Sequence, residues 1–265
     1  MGAVLEAREL VKEFRNGEQV TRALDGVDLA IEGGSFTAIM GPSGSGKSTL
    51  LHLLGLLDRP TSGDVLLDGA PGSELSDKER TRFRRDRLGF VFQFFNLVPV
   101  LTIAENVSLP ATIAGERPTA IKERLDQALE AVGLSEHRDK LPSQVSGGQQ
   151  QRAAIARALF TDPLVVFGDE PTGNLDTRTA QEVLALLRDA QRTHGRTIVL
   201  VTHDPRVAAA SDRVVLLTDG RIVDDVAVED LALETARKRT RRKAPAITEE
   251  DRAAALVARL AAAGL

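Results

Sequence analysis

Gly41-Pro42-Ser43-Gly44-Ser45-Gly46-Lys47-Ser48-Thr49 carries the spacing G-x-x-x-x-G-K-[ST] over its first eight residues. Glycines at these positions let successive backbone N–H groups curl around an anion. Just upstream, Phe36–Met40 has the composition of a short buried strand. Just downstream, Thr49–Leu57 has that of a helix, whose N-terminus adds its own N–H groups and the positive end of its dipole. The pattern assigns Lys47 to the β- and γ-phosphates of a nucleotide and the Ser48 hydroxyl to Mg²⁺. At average residue frequencies a chain of this length matches by chance on the order of one time in a hundred. The strand–loop–helix setting lowers that further, so the sequence predicts binding of a nucleoside triphosphate.

Some hundred residues downstream, Val145-Ser146-Gly147-Gly148-Gln149-Gln150-Gln151-Arg152 stands before a helical pattern, Ala153–Phe160. Next comes the apolar run Leu164-Val-Val-Phe-Gly168, which leads into Asp169-Glu170. With these motifs in this order, residues 4–226 resemble the ATPase subunits of ATP-binding-cassette (ABC) transporters. Gly89-Phe-Val-Phe-Gln93, Asn96-Leu-Val-Pro99, Glu105-Asn-Val107 and Asp169-Glu-Pro-Thr-Gly-Asn-Leu-Asp176 are most similar to one branch. That branch holds macrolide exporters, lipoprotein-release ATPases, cell-division ATPases and antimicrobial-peptide exporters.

The resemblance implies a role for each site residue. Asp169 holds Mg²⁺, together with Ser48 and the amide of Gln93. Glu170 orients the attacking water or acts as its general base, and His203, after the strand Thr197–Thr202, registers the γ-phosphate. Phosphoryl transfer asks for positioning and charge stabilisation more than covalent work, so one carboxylate for the metal and one for the nucleophile suffice. Phe14 is the candidate platform for adenine, because the chain has no Tyr or Trp. Ser146, Gly147, Gly148 and Gln149 precede a helix and form a second anion site, which in the family closes on the γ-phosphate of the opposite subunit. Asp176 corresponds to the aspartate that crosses that interface, and by its own chemistry is a helix N-cap. Gly168 departs from the family's usual Ala, a small change.

The implied fold is α/β: a P-loop ATPase core with a mostly parallel sheet, an N-terminal antiparallel β layer and an inserted helical lobe at about 96–160. The ATPase domain is expected to span 1–228, with a C-terminal extension at 229–265. Gly63–Gly69 reads as an edge strand and Leu75–Asp86 as a polar helix. In the extension, Arg237-Lys-Arg-Thr-Arg-Arg-Lys243 places six basic residues in seven. A helix is expected after Thr248, with Ala253, Leu256, Val257, Leu260 and Ala263 on one face. The basic run suits either a solvated linker to that helix or attraction to anionic lipid heads. Every expected nucleotide contact lies between Phe14 and His203, so removal of the tail should spare the site chemistry unless the last helix is a structural clamp.

The 265 residues carry a net charge of −4 and no cysteine, which excludes disulfides and thiolate metal sites. No apolar run approaches the ~20 residues that span a bilayer, and acidic and basic residues interrupt Met1–Arg8 too early for a secretory signal. The resemblance therefore implies a homodimer sandwiching two ATP and bound to a separate integral-membrane permease at the cytoplasmic face of a bacterial membrane. The competing expectation is a soluble ABC ATPase acting on nucleic acid or ribosomes, with the basic run as its sole support.

Overall fold

The computed structural model describes residues 2–240 and 247–262, with 237–240 as backbone alone. The side chains of the basic run 237–243, and Ala263, thus lie outside the described residues. The chain divides into two units, Met1–Glu74 with Val199–Leu265, and Leu75–Ile198. The first unit begins with β1 (Ala3–Asn16), β2 (Gln19–Glu32), β3 (Phe36–Met40), α1 (Lys47–Leu54), β4 (Ser62–Leu67) and β5 (Ala70–Pro71). The second holds α2 (Asp77–Arg87), β6 (Leu88–Phe92), α3 (Ile103–Ile113), α4 (Pro118–Ala131), α5 (Gly147–Leu159), β7 (Val165–Asp169) and α6 (Thr177–His194). Strand β8 (Thr197–Val201) carries the chain back to the first unit, which continues with α7 (Pro205–Ala208), β9 (Arg213–Thr218), β10 (Arg221–Ala227), α8 (Val228–Thr240) and α9 (Glu249–Ala262).

In the first unit, β1 and β2 form a long hairpin closed at Asn16↔Gln19, where Gly17 takes the positive φ of a tight turn. The antiparallel layer runs β2-β1-β4-β5. Strand β4 is not at the edge as its sequence suggested. The Asp68-Gly69 turn, both residues at positive φ, folds Ala70–Pro71 back onto it, and Pro71, having no N–H, ends the sheet. Strand β3 is buried at all five positions and lies parallel to β9, with Ala38 opposite Val214 and Met40 opposite Leu216. Burial on both faces explains its apolar composition, interrupted by Thr37 alone. Antiparallel β10 follows β9 through Asp219-Gly220, again at positive φ.

The boundary expected near residue 228 falls inside the first unit, because α8 and α9 complete its core. Val228, Ala232, Ala236, Ala255 and Leu256 are all nearly inaccessible. Leu256 joins Ala38, Met40, Ala208, Val214 and Leu216 in one cluster, with Ala253 and Leu260 beside it. The inward side of α9 thus carries buried Ala255 and Leu256 with partly buried Ala253 and Leu260, while Val257, expected on that face, points outward and is 54% exposed. Asp251 closes the helix start: its carboxylate accepts from the Thr248 N–H (3.0 Å) and hydroxyl (2.9 Å), and its own N–H donates to Thr248 Oγ1 (3.1 Å). At the far end Arg259 grips the Asp224 carboxylate of β10 and holds its pKa below the usual range. The helix is thus a clamp. Leu256→Ala should cost about 2–5 kcal/mol in urea unfolding, while Val257→Ala stays within roughly 0.5 kcal/mol.

In the second unit, β6 and β7 pair in parallel, Leu88 with Val165 through Phe92 with Asp169. Ser76 and Glu79 form a capping box at the start of α2, and Thr102 and Glu105 form another at α3. Helices α3, α4 and α5 bury Ile103, Val107, Leu125, Leu129, Ala153 and Ala156 in a core of their own. The Glu105-Asn106-Val107 run has a structural purpose in each residue. Glu105 caps, Val107 fills the core, and fully buried Asn106 accepts from the Val98 N–H and donates to the carbonyls of Val98, Leu101 and Thr102.

Candidate functional site

The first unit holds the phosphate loop, between β3 and α1. Helix α1 starts at Gly46 with φ 100° and without a side-chain cap. By contrast α2, α3, α5 and α6 begin at capping Ser76, Thr102, Ser146 and Asp176. The first N–H groups of α1, lacking intrahelical acceptors, are those an anion needs. Glycine is required here by space as well as by conformation. A Cβ on Gly46 would lie 2.4 Å from the Ala23 carbonyl oxygen, and one on Gly41 would lie 2.0 Å from that of Leu217. The Lys47 ammonium is held on the loop, donating to the carbonyls of Gly41 (3.0 Å) and Pro42 (2.7 Å). Ser43, Gly44 and Ser48 are exposed and Thr49 half-buried. Ser45 is buried, and among the described residues its Oγ has no hydrogen-bond partner.

The same unit contains Phe14 and His203. Phe14 is 48% exposed on β1, and the Lys12 ammonium sits 5.2 Å from its ring centroid. That ammonium is fixed by the Asp58 carboxylate and the Arg59 carbonyl, each at 2.7 Å. One side of the ring is therefore engaged in a cation–π contact. His203 is exposed and follows buried Thr202, whose N–H donates to the Ile39 carbonyl (3.2 Å).

The second unit gathers Gln93, Asp169, Glu170, Asp176 and the Ser146–Gln149 run. Asp169 is the last residue of β7, and Glu170 follows with φ 48°, a left-handed backbone that costs energy for a residue with a side chain. The turn is closed by Gly173 N–H donating to the Glu170 carbonyl (3.0 Å). Gln93 and Asn174, 81 residues apart, exchange hydrogen bonds. Gln93 Nε2 donates to Asn174 Oδ1 (3.2 Å), and Asn174 Nδ2 donates to the Gln93 carbonyl (3.1 Å). Ser146 is the N-cap of α5, accepting from the Gln149 N–H (3.3 Å), while Gln149 Oε1 accepts from the Ser146 N–H (2.8 Å). Gly147 and Gly148 then take the first two helical positions. Asp176 caps α6, accepting from the N–H groups of Arg178 and Thr179 (3.1 Å each) and from the Thr179 hydroxyl (2.6 Å). The Thr179 hydroxyl and these N–H groups hold its carboxyl below the ordinary range. Thr179 in turn lies against Gly148, where a Cβ would fall 2.4 Å from its methyl group.

Residues 24–173 match the sequence pattern of the ABC transporter family. The chain belongs to that family. It is an ATP-binding cassette. It is 52% identical over 215 residues to the lipoprotein-releasing system ATP-binding protein LolD of Anaeromyxobacter dehalogenans, covering 81% of this chain and 90% of that one. It is 47% identical over 230 residues to the macrolide export ATP-binding/permease protein MacB of Chlorobaculum tepidum, covering 87% of this chain but 35% of that protein's length. Among solved structures it is similar to a dimeric post-hydrolysis state of the ATP-binding cassette MJ0796 bound to ADP and Pi, from Methanocaldococcus jannaschii. That match has a TM-score of 0.78 and 41% identity and covers 84% of this chain and 98% of that one. LolD and MacB are named for lipoprotein release and macrolide export and give no support to an action on nucleic acid or ribosomes.

Asn174 of the cassette was within sight in the Asp169–Asp176 run, but no local rule pairs it with Gln93. Of the phenylalanines near Gln93, Phe92 serves packing, stacked on Phe90 (6.0 Å between centroids), which stacks on Phe167 (5.5 Å). Phe94 is 74% exposed.

Proposed function

We propose that two copies of this cassette sandwich two ATP molecules and drive a separate membrane permease, for export, extraction or force transmission across the cell envelope. The observation that carries the reading is that the two runs assigned to phosphate, one at an uncapped helix start and one at a helix start capped by Ser146 itself, lie in different units. One is Gly41–Ser48 at the start of α1 in the first unit, and the other is Ser146–Gly148 at the start of α5 in the second. In a head-to-tail pair each ATP meets the phosphate loop of one subunit and the Ser146 run of the other. The dimeric assembly of the MJ0796 cassette supports this arrangement. LolD, matched over 90% of its length, is named as the ATP-binding protein of a lipoprotein-releasing system, and no described helix of this chain is long and apolar enough to cross a membrane. Exposed Phe94, Val100 and Ile113 in the second unit offer the apolar surface such a partner would cover.

Within each site Phe14 stacks on adenine, Lys47 meets the β- and γ-phosphates, and Gly41–Thr49 wraps them with backbone N–H groups. Glu170 aligns the water that attacks the γ-phosphorus and draws off its proton as the bond to ADP breaks, with Gln93 beside it. His203 donates to the γ-phosphate, and Asp176 approaches the partner subunit. The donor set fits Mg²⁺: the Ser48 hydroxyl, the Asp169 carboxylate and the Gln93 amide are hard oxygen ligands, and Mg²⁺ takes few protein ligands alongside substrate phosphates. Among the described residues no cluster of three or more His, Cys, Asp or Glu offers an all-protein cage instead. When bound, the ion neutralises charge developing on the phosphates.

Binding closes the pair and hydrolysis opens it, and the cycle works on the permease. Purification of the tagged chain from detergent-solubilised membranes of its own host is expected to bring down an integral-membrane partner. EDTA should abolish ATP turnover by the same preparation. Recovery only with ribosomes or nucleic acid, or turnover indifferent to EDTA, would overturn the proposal.

A further inference from the structure

Arg157 lies near the end of α5, and its guanidinium reaches two backbone carbonyls of a single turn. It is partly buried, and among the described residues no carboxylate pairs with it. Its two hydrogen bonds go to backbone carbonyls of the loop after Gln93: Nη2 to Phe95 (2.9 Å) and Nη1 to Asn96 (2.5 Å). Burial without a compensating anion holds its pKa below the ordinary value. The two carbonyls belong to residues in left-handed backbone, Phe95 at φ 61° and Asn96 at φ 50°. Asn tolerates that region, whereas Phe adopts it rarely and at a cost. A turn of this kind persists only when its surroundings hold it.

The surroundings here are helix α5 at both ends. At its start, the Phe95 ring lies 3.5 Å from where a Cβ on Gly147 would be. Ten residues on, about 15 Å along the axis, Arg157 holds the same turn by its two carbonyls. Gln93, two residues before Phe95, is meanwhile tied to Asn174.

We propose that Arg157 is a positioning residue, fastening the Phe95–Asn96 turn to α5 so that Gln93 and the Ser146–Gly148 run keep one fixed relation within the second unit. The role rests on the assignment of Gln93 and Ser146 to the ATP site given above. Lysine cannot replace it fully, since a single ammonium has no planar fork to hold two carbonyls at once.

The test compares Arg157→Met, which keeps length and loses the donors, with Arg157→Lys and with Gln93→Ala. In the nucleotide-free full chain, backbone hydrogen exchange over 92–98 should rise about tenfold in Arg157→Met, as expected from losing charge-assisted hydrogen bonds. It should rise less in Arg157→Lys and stay unchanged over α3 and α4. The kcat for MgATP should fall about tenfold in Arg157→Met, with KM within roughly twofold, the pattern of lost transition-state positioning. Wild-type exchange over 92–98, or a rise spread equally over α3 and α4, would overturn the proposal. So would full turnover despite a loosened loop. Should Arg157→Met fail to fold, Arg157→Lys, which retains the charge, carries the same comparison. Wild-type turnover in Gln93→Ala would remove the Gln93 assignment alone, because the exchange result on Arg157 does not depend on it.

Discussion

Glu170→Gln is expected to lower ATP turnover by roughly 10²–10⁴-fold, the cost of losing a positioned general base, while ATP binding persists. Glutamine keeps the shape of the side chain and the turn that carries it. That turn is set by the backbone: Glu170 stands at φ 48° directly after β7, closed by the Gly173 N–H on its carbonyl. A left-handed residue at a strand end next to Asp169 is a position that backbone propensity alone disfavours. With hydrolysis blocked and binding spared, ATP-loaded dimers should accumulate and elute earlier in size-exclusion chromatography with ATP than without. Normal turnover in Glu170→Gln would reject the assignment.

A mixture of Ser146→Arg and Lys47→Ala subunits should recover activity that neither variant shows alone. Lys47→Ala removes the ammonium that lies on the Gly41 and Pro42 carbonyls and should fail at nucleotide binding. Ser146→Arg removes the cap of α5 and sets a bulky chain at its N-terminus. If each ATP is held by the phosphate loop of one subunit and the Ser146 run of the other, each homodimer has two broken sites. A heterodimer then combines one doubly broken site with one intact site, so an equal mixture should recover about a quarter of the wild-type sites. Full-rate hydrolysis by Ser146→Arg alone, or a mixture as dead as its components, would refute the composite site.

What could be read along the chain was whatever a few neighbouring residues settle between themselves. Thr248 and Asp251 sit three apart, and a helix start brings such a pair together whatever the rest of the molecule does. The Asp219-Gly220 turn was equally local. The hairpin it closes was nonetheless not expected, because the charges at Arg221, Asp224 and Asp225 disguised a strand with alternate residues exposed.

The sequence by itself determined the phosphate loop, the acidic pair after an apolar strand, the helix starts at Asp176 and Thr248 and the family, because each rests on residue types at short fixed spacings. Only the tertiary structure showed that α9 is a clamp with Leu256 inward and Val257 outward, that Gln93 is tied to Asn174, and that Arg157 holds the Phe95–Asn96 turn. The physical reason is the same in each case. An apolar residue, an amide or a guanidinium can be satisfied by many partners, and which one it meets is set by how distant segments pack, not by its neighbours in the chain.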